Sequence, residues 1–176
     1  MSLIVKGETH TGRVRDHNED QYLALGRDQS PPGAGALLVV ADGMGGQPAG
    51  EVASLIAVQH IEERFRFNTA IAAINPEPGD EVIVPAVSWS TTYHPLQQYG
   101  LKLRFVDVEL ETLNIDTGAL KDALTPQTRA IVAVSILGNP ANLTAVRAFA
   151  DEHGLYFLED NCESLDAELD GQKTGT

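Results

Sequence analysis

At 176 residues the chain is long enough for one good hydrophobic core or two small ones. Its formal net charge of −13 excludes nucleic acid as an expected partner, because phosphate backbones need Lys and Arg to displace their counterions. Cys162 is the single cysteine, which excludes an intrachain disulfide and agrees with a reducing compartment. No stretch approaches the ~20 apolar residues of a membrane span. The opening MSLIVKGETHTG lacks the apolar run of a signal peptide, so a cytoplasmic protein without a membrane partner is expected.

Three short β-type segments come first, at 2–5, 21–25 and 37–41, apolar or β-branched and separated by turn residues. The breakers Gln29-Ser30-Pro31-Pro32-Gly33-Ala34-Gly35 part the last two. Over 51–65, Val52, Leu55, Ile56, Val58 and Phe65 fit a helix with one buried face, and Glu51 suits the positive end of its dipole. Neither Pro nor Gly stands between Glu51 and Ile74, so one helix of roughly 36 Å can run on until Asn75-Pro76 ends it. Beyond residue 80, strands at 81–85, 101–108, 129–136 and 155–159 alternate with helices at 90–99, 117–123 and 143–153. The pattern predicts an α/β fold: a four-stranded parallel sheet with flanking helices, preceded by a short β-meander and a long helix. Charge divides with the pattern. Residues 1–66 carry 6 basic and 9 acidic residues, and residues 67–176 carry 6 and 16.

In the first part, Arg15, Glu19 and Asp20 precede a strand, and Asp42-Gly43-Met44-Gly45-Gly46 follows the strongest one. Carboxylates with a glycine whose backbone carbonyl can approach an ion suit hard cations such as Mg²⁺ or Mn²⁺. An arginine beside them can clamp a phosphate oxygen. The bland alternative is solvated turn residues and a flexible glycine turn. The blocks R-x-x-N-E-D and D-G-M-G-G resemble the first two signatures of the PPM (PP2C-like) family of metal-dependent Ser/Thr phosphatases. That resemblance covers about residues 8–66. It implies phosphate binding by Arg15, metal binding by Glu19, Asp20, Asp42 and the Gly43 carbonyl, and a β-sandwich whose second half nothing after residue 66 resembles.

In the second part, Ser88-Trp89-Ser90, Asp107, Gly138-Asn139-Pro140 and Asp160-Asn161 all fall where strands end. In an open parallel sheet those ends share one rim, the usual place for a ligand. An aspartate there can hold a protonated ring nitrogen, and a tryptophan can cover a ring. The plainer alternatives are a core Trp and a helix-capping Asp. The stretches GDEVIVPAVSWSTTYHPLQQYGLKLRFVDVELETLNID, RAIVAVSILGNPANL and HGLYFLEDNCES resemble the DegT/DnrJ/EryC1 sugar aminotransferases, above all the branch that removes the 3-hydroxyl of 4-keto-6-deoxy nucleotide sugars. The resemblance spans about residues 68–176 and implies pyridoxal phosphate as cofactor. Asp160 would then pair with its pyridine nitrogen and Trp89 would stack on its ring. Glu163 would lie near the ring hydroxyl, with Ser88 and Asn139 close by. It also implies that the Schiff-base lysine, or the histidine that replaces it, lies beyond Thr176; Lys173 sits in a Gly/Thr-rich turn and does not match it.

The sequence therefore predicts two incomplete enzyme segments joined near residue 67, with domains 1–66 and 67–176 and no independent activity. The rival expectations are a pyridoxal-phosphate sugar enzyme, a Mg/Mn phosphatase segment, and a non-enzymatic chimera. Unpartnered amino-terminal strands would favour self-association through their edges. His10, His17, His60, His94 and His153 show no zinc-type spacing.

Overall fold

The computed structural model describes residues 5–11, 18–30, 35–43, 49–164 and 166–175. The chain divides into two units, Met1–Ala73 and Ile74–Thr176.

In the first unit, β1 (Gln21–Leu25) and β2 (Leu37–Ala41) form an antiparallel pair with Tyr22 opposite Val40 and Leu25 opposite Leu37. Of the meander's expected first strand, residues 2–4 lie outside the described residues, and Val5 belongs to no strand. Helix α1 (Ala49–Ile74) runs 26 residues, about 39 Å. Nothing between Glu51 and Ile74 removes a backbone donor or frees the backbone, so it continues across the position of the expected seam. The single buried face expected of 51–65 is not what forms. Val58 is buried, whereas Val52, Leu55 and Ile56 are exposed. A two-stranded hairpin has too little surface to cover a helix of this length, and its own Leu38 and Val40 are exposed as well, Val40 by 81%.

The second unit is built on four parallel strands: β3 (Glu81–Pro85), β4 (Lys102–Val106), β5 (Thr128–Val134) and β6 (Tyr156–Asp160), in the order β4-β3-β5-β6. Each expected strand is present: β3 has the expected bounds, β4 is shorter at both ends, and β5 and β6 shift by one or two residues at their ends. Helix α2 (Ser90–Gln98) connects β3 to β4, and α4 (Leu143–His153) connects β5 to β6. The expected helix at 117–123 is a 3₁₀ turn, Thr117–Ala119, running into the single turn α3 (Leu120–Ala123). Asp116 starts it by accepting the Gly118 amide. Two-residue strands β7 (Glu168–Leu169) and β8 (Gln172–Lys173) form a hairpin where a plain turn is expected.

Alternation along each strand divides its side chains between two faces. Ile83, Ile131 and Ala133 pack with Val106, Leu120, Val146 and Ala150 beneath α3 and α4. On the opposite face Val82, Val84, Val132 and Val134 are buried too, and Tyr93 of α2 meets Phe105 edge-on at 5.5 Å between ring centroids. Covering on both faces explains why these strands read as unbroken apolar runs. Ile131 is fully buried at the centre. We predict that Ile131→Ala lowers stability by about 3 kcal/mol, measured by urea denaturation followed by circular dichroism. A loss under 1 kcal/mol would contradict this packing.

Candidate functional site

The strand order fixes where a crevice can form. The chain leaves β3 toward β4 on one side, while β5 and β6 lie on the other, so the connections after β3 and β5 diverge at the carboxyl end of the sheet. Such a switch point opens a cleft. Ser88 and Trp89 follow β3, residues 135–140 follow β5, and Asp160 ends β6.

Three side chains are linked there. The Thr92 hydroxyl donates to Asp160 Oδ2 at 2.7 Å. Ser88 Oγ lies 2.9 Å from Thr92 Oγ1. Thr92 has one hydroxyl proton and gives it to the carboxylate, so Ser88 is the donor to Thr92. The amide of Cys162 approaches the other carboxylate oxygen, Oδ1, at 3.4 Å. Thr92 sits on a helix that follows β3, yet it reaches the end of β6 two strands away, about 10 Å. The first turn of α2 therefore lies across the carboxyl end of β5. Tyr93, the next residue, donates to the Pro85 carbonyl at 2.8 Å. Burial pushes its hydroxyl above the usual tyrosine range, opposed by the Ser88 hydroxyl.

Trp89 caps α2 from an extended backbone conformation and is 59% exposed. The core alternative for this tryptophan is thereby excluded, and a large ring stands uncovered at the rim.

The loop after β5 is held by a residue that no strand end or motif marks out. The amide nitrogen of Asn114 donates to the carbonyls of Asn139 and Pro140 at 3.0 and 3.1 Å, and its oxygen accepts the Ile136 amide at 3.2 Å. Leu137, between them, has φ 53° and is 74% exposed. Its amide donates to Glu163 Oε2 at 2.8 Å. Asn139 donates to the Thr112 carbonyl at 3.2 Å. Asn139 and Glu163 thus brace this loop, while Ser88 and Asp160 are joined through Thr92 and Trp89 follows Ser88 at the same end of the sheet. Asn161 donates to the Thr174 carbonyl. Glu159 accepts the Gly175 amide, which opposes the rise that burial imposes on its carboxyl. Lys173 pairs with Asp166 and with Glu168; Asp166, then Glu168, raise its pKa. A cavity of about 340 Å³ along the edge strand β4 contains Asp107 but none of Ser88, Trp89, Asn139, Asp160 and Glu163.

In the first unit Arg15 lies outside the described residues. Glu19 is 1% exposed, and its backbone carbonyl accepts the Ser54 hydroxyl of α1. A Cβ on Gly50 would start 3.3 Å from Glu19 Oε2, so this carboxylate rests against the first turn of α1, where the helix dipole favours it. Gly43 is packed so closely that a Cβ would fall 2.3 Å from the Glu19 carbonyl oxygen. Glycine is required there for space. Continuing the β1–β2 register by one residue sets Asp20 opposite Asp42. The structure thus brings Glu19, Asp20, Asp42 and Gly43 to one end of the hairpin. Among the described residues no three His, Cys, Asp or Glu side chains are grouped to hold a metal ion, and no helix is long and apolar enough to cross a membrane.

The profile of the DegT/DnrJ/EryC1/StrS aminotransferase family matches residues 67–176. The chain belongs to that family. It is 58% identical over 98 residues to a GDP-4-keto-6-deoxy-D-mannose 3-dehydratase from Yersinia pseudotuberculosis, covering 56% of this chain and 25% of that one. The solved Escherichia coli GDP-4-keto-6-deoxy-D-mannose-3-dehydratase with bound hydrated PLP superimposes with TM-score 0.60 at 46% identity, over 65% of this chain and 31% of that one. A UDP-N-acetyl-3-dehydro-alpha-D-glucosamine 3-aminotransferase from Acidithiobacillus ferrooxidans is 31% identical over 163 residues, 88% of this chain and 44% of that one. The chain thus spans about a quarter of the length of its 3-dehydratase relative.

The expected rim residues were legible because they follow apolar strands. Thr92 and Asn114 were missed: each becomes meaningful only through a partner 68 or 22 positions away. Replacing Asn114 by Ala should leave three backbone groups of the loop unmatched and cost about 2 kcal/mol. Hydrogen exchange at the Ile136 amide should accelerate. Unchanged exchange would show that the loop holds itself.

Proposed function

We propose that residues 67–176 supply one wall of a pyridoxal-phosphate site in a nucleotide-sugar enzyme of the 3-dehydratase and aminotransferase class. The observation that carries this reading is the Asp160 carboxylate, tethered by Thr92 at the carboxyl end of β6, on the rim where Trp89 stands exposed. The donor set fits the group. An ionised carboxylate accepts a charge-assisted bond from a protonated pyridine nitrogen, and the indole face suits a flat heteroaromatic ring. When bound, the coenzyme supplies an electron sink for bond cleavage next to carbon atoms of the sugar. The chain's part is to bind and orient the ring. Asp160 holds the proton at its nitrogen, Trp89 excludes water from one face, and Ser88, Asn139 and Glu163 shape the surrounding loops. A 4-keto-6-deoxy sugar linked to a nucleotide is the proposed substrate, by likeness to the 58% identical dehydratase.

Trp89 is the only tryptophan, so its fluorescence reports on this rim alone. Pyridoxal phosphate should quench it saturably, and Asp160→Asn should weaken binding by on the order of 2 kcal/mol, about 30-fold. Absence of saturable quenching would overturn the proposal.

We propose separately that the amino-terminal unit retains part of a Mg²⁺ or Mn²⁺ phosphatase site, joined near residue 67 to a segment of other ancestry. The close packing of Gly43 on Glu19, with Asp20 and Asp42 at the same end of the hairpin, favours it. Arg15 would bind the phosphate, and Asp42 and the Gly43 carbonyl would face the metal. The competing account of the same residues is the 31% identical aminotransferase, whose alignment covers 88% of the chain. Mn²⁺-dependent hydrolysis of an aryl phosphate, abolished in Asp42→Asn, is the expected outcome. Calorimetry with Mn²⁺ that detects no heat removed by that substitution would discard it.

A further inference from the structure

We infer that Thr92, backed by Ser88, is a positioning residue that aims the Asp160 carboxylate at the ring nitrogen of the bound heteroaromatic ligand. This rests on the pyridoxal-phosphate reading above and deepens it.

The geometry leaves little freedom in this chain of hydroxyls. Thr92 is 1% exposed, so water cannot replace either of its partners. It is β-branched and lies within α2, which restricts χ1 and fixes where its oxygen sits. Its one proton goes to Asp160 Oδ2 at 2.7 Å, and it receives the proton of Ser88 at 2.9 Å. The Tyr93 proton is committed to the Pro85 carbonyl, and the Tyr93 oxygen is a second acceptor beside Ser88. When Ser88 donates to Thr92, both hydroxyls point toward the carboxylate, and hydrogen bonds arranged in series polarise one another away from water. With the Cys162 amide on the second oxygen, the plane of the carboxylate is held from both sides.

A carboxylate fixed before the ligand arrives spends no side-chain entropy on binding. Its charge is also directed at a single donor. Remove the Thr92 hydroxyl, and Asp160 loses its orientation while the ring face keeps its contact with Trp89. The consequence is specific to the ring nitrogen, whereas a loss of packing at α2 would weaken every contact alike.

The test uses the 176-residue chain and two ligands, measured by calorimetry. One is pyridoxine 5′-phosphate, which cannot form an imine. The other is its carbocyclic counterpart, in which C–H replaces the ring nitrogen. Thr92→Val should weaken the first about tenfold and leave the second within about twofold. Thr92→Ser should restore the first, and Ser88→Ala should weaken it about threefold, again without effect on the second. If Thr92→Val fails to fold, the Ser88→Ala pair of measurements decides. Equal losses for the two ligands, or no loss for either, would overturn the positioning role. Equal affinity of the unmodified chain for both ligands, or binding of neither, would instead overturn the cofactor reading on which it rests.

Discussion

Strands that all run the same way release their chain at one edge, and every crossover must return to the opposite edge before the next strand begins. In residues 74–176 this constraint places the ends of β3, β5 and β6 side by side, with β4 beyond them. Only backbone pairing is needed to bring Ser88, Ser135 and Asp160 to one rim, although they lie up to 72 residues apart in the chain. The connections then diverge because β4 and β5 flank β3 on opposite sides. The cleft follows from strand order, and the chemistry within it follows from which residues end the strands.

Within that frame, two polar side chains fix details that burial alone leaves open. Thr92 ties the start of α2 to the end of β6, and Asn114 ties the loop after β5 to the segment preceding α3. Both are buried and hydrogen-bonded, as a low-dielectric interior requires of polar groups. Leu137 shows what the second tie sustains. A leucine with φ 53° is strained, and it persists because Asn114 on both sides and Glu163 at its own amide hold the backbone there. The exposed leucine, Trp89 and Val87 are apolar surfaces that this rim presents.

The amino-terminal unit obeys a different balance. Its hairpin and helix leave Leu38, Val40, Val52 and Ile56 exposed, although the same residues would make good core in a thicker architecture. Its tight contacts are local. Gly43 packs on the Glu19 backbone, and Glu19 packs on the first turn of α1. Glu19 serves the helix, because a buried carboxylate at a helix amino terminus meets the partial positive charge of its first amides.

By itself the sequence determined the strands and most of the helices of residues 80–160, the parallel arrangement, and the rim residues. Apolar runs such as Val82-Ile83-Val84 and Ile131-Val132-Ala133 encode burial on both faces, and the polar residues that end them must lie at a sheet edge. The uninterrupted helix to Ile74 was legible too, since it requires only the absence of Pro and Gly. Tertiary structure alone decided that Trp89 stands exposed, that Val52, Leu55 and Ile56 of α1 find little cover, that Glu159 is partly buried, and that Thr92 and Asn114 hold the cleft. Hydrophobic periodicity records which side of an element is covered. It carries no record of which distant hydroxyl or amide completes a buried carboxylate or carbonyl, because that partner is chosen by the packing of elements in three dimensions.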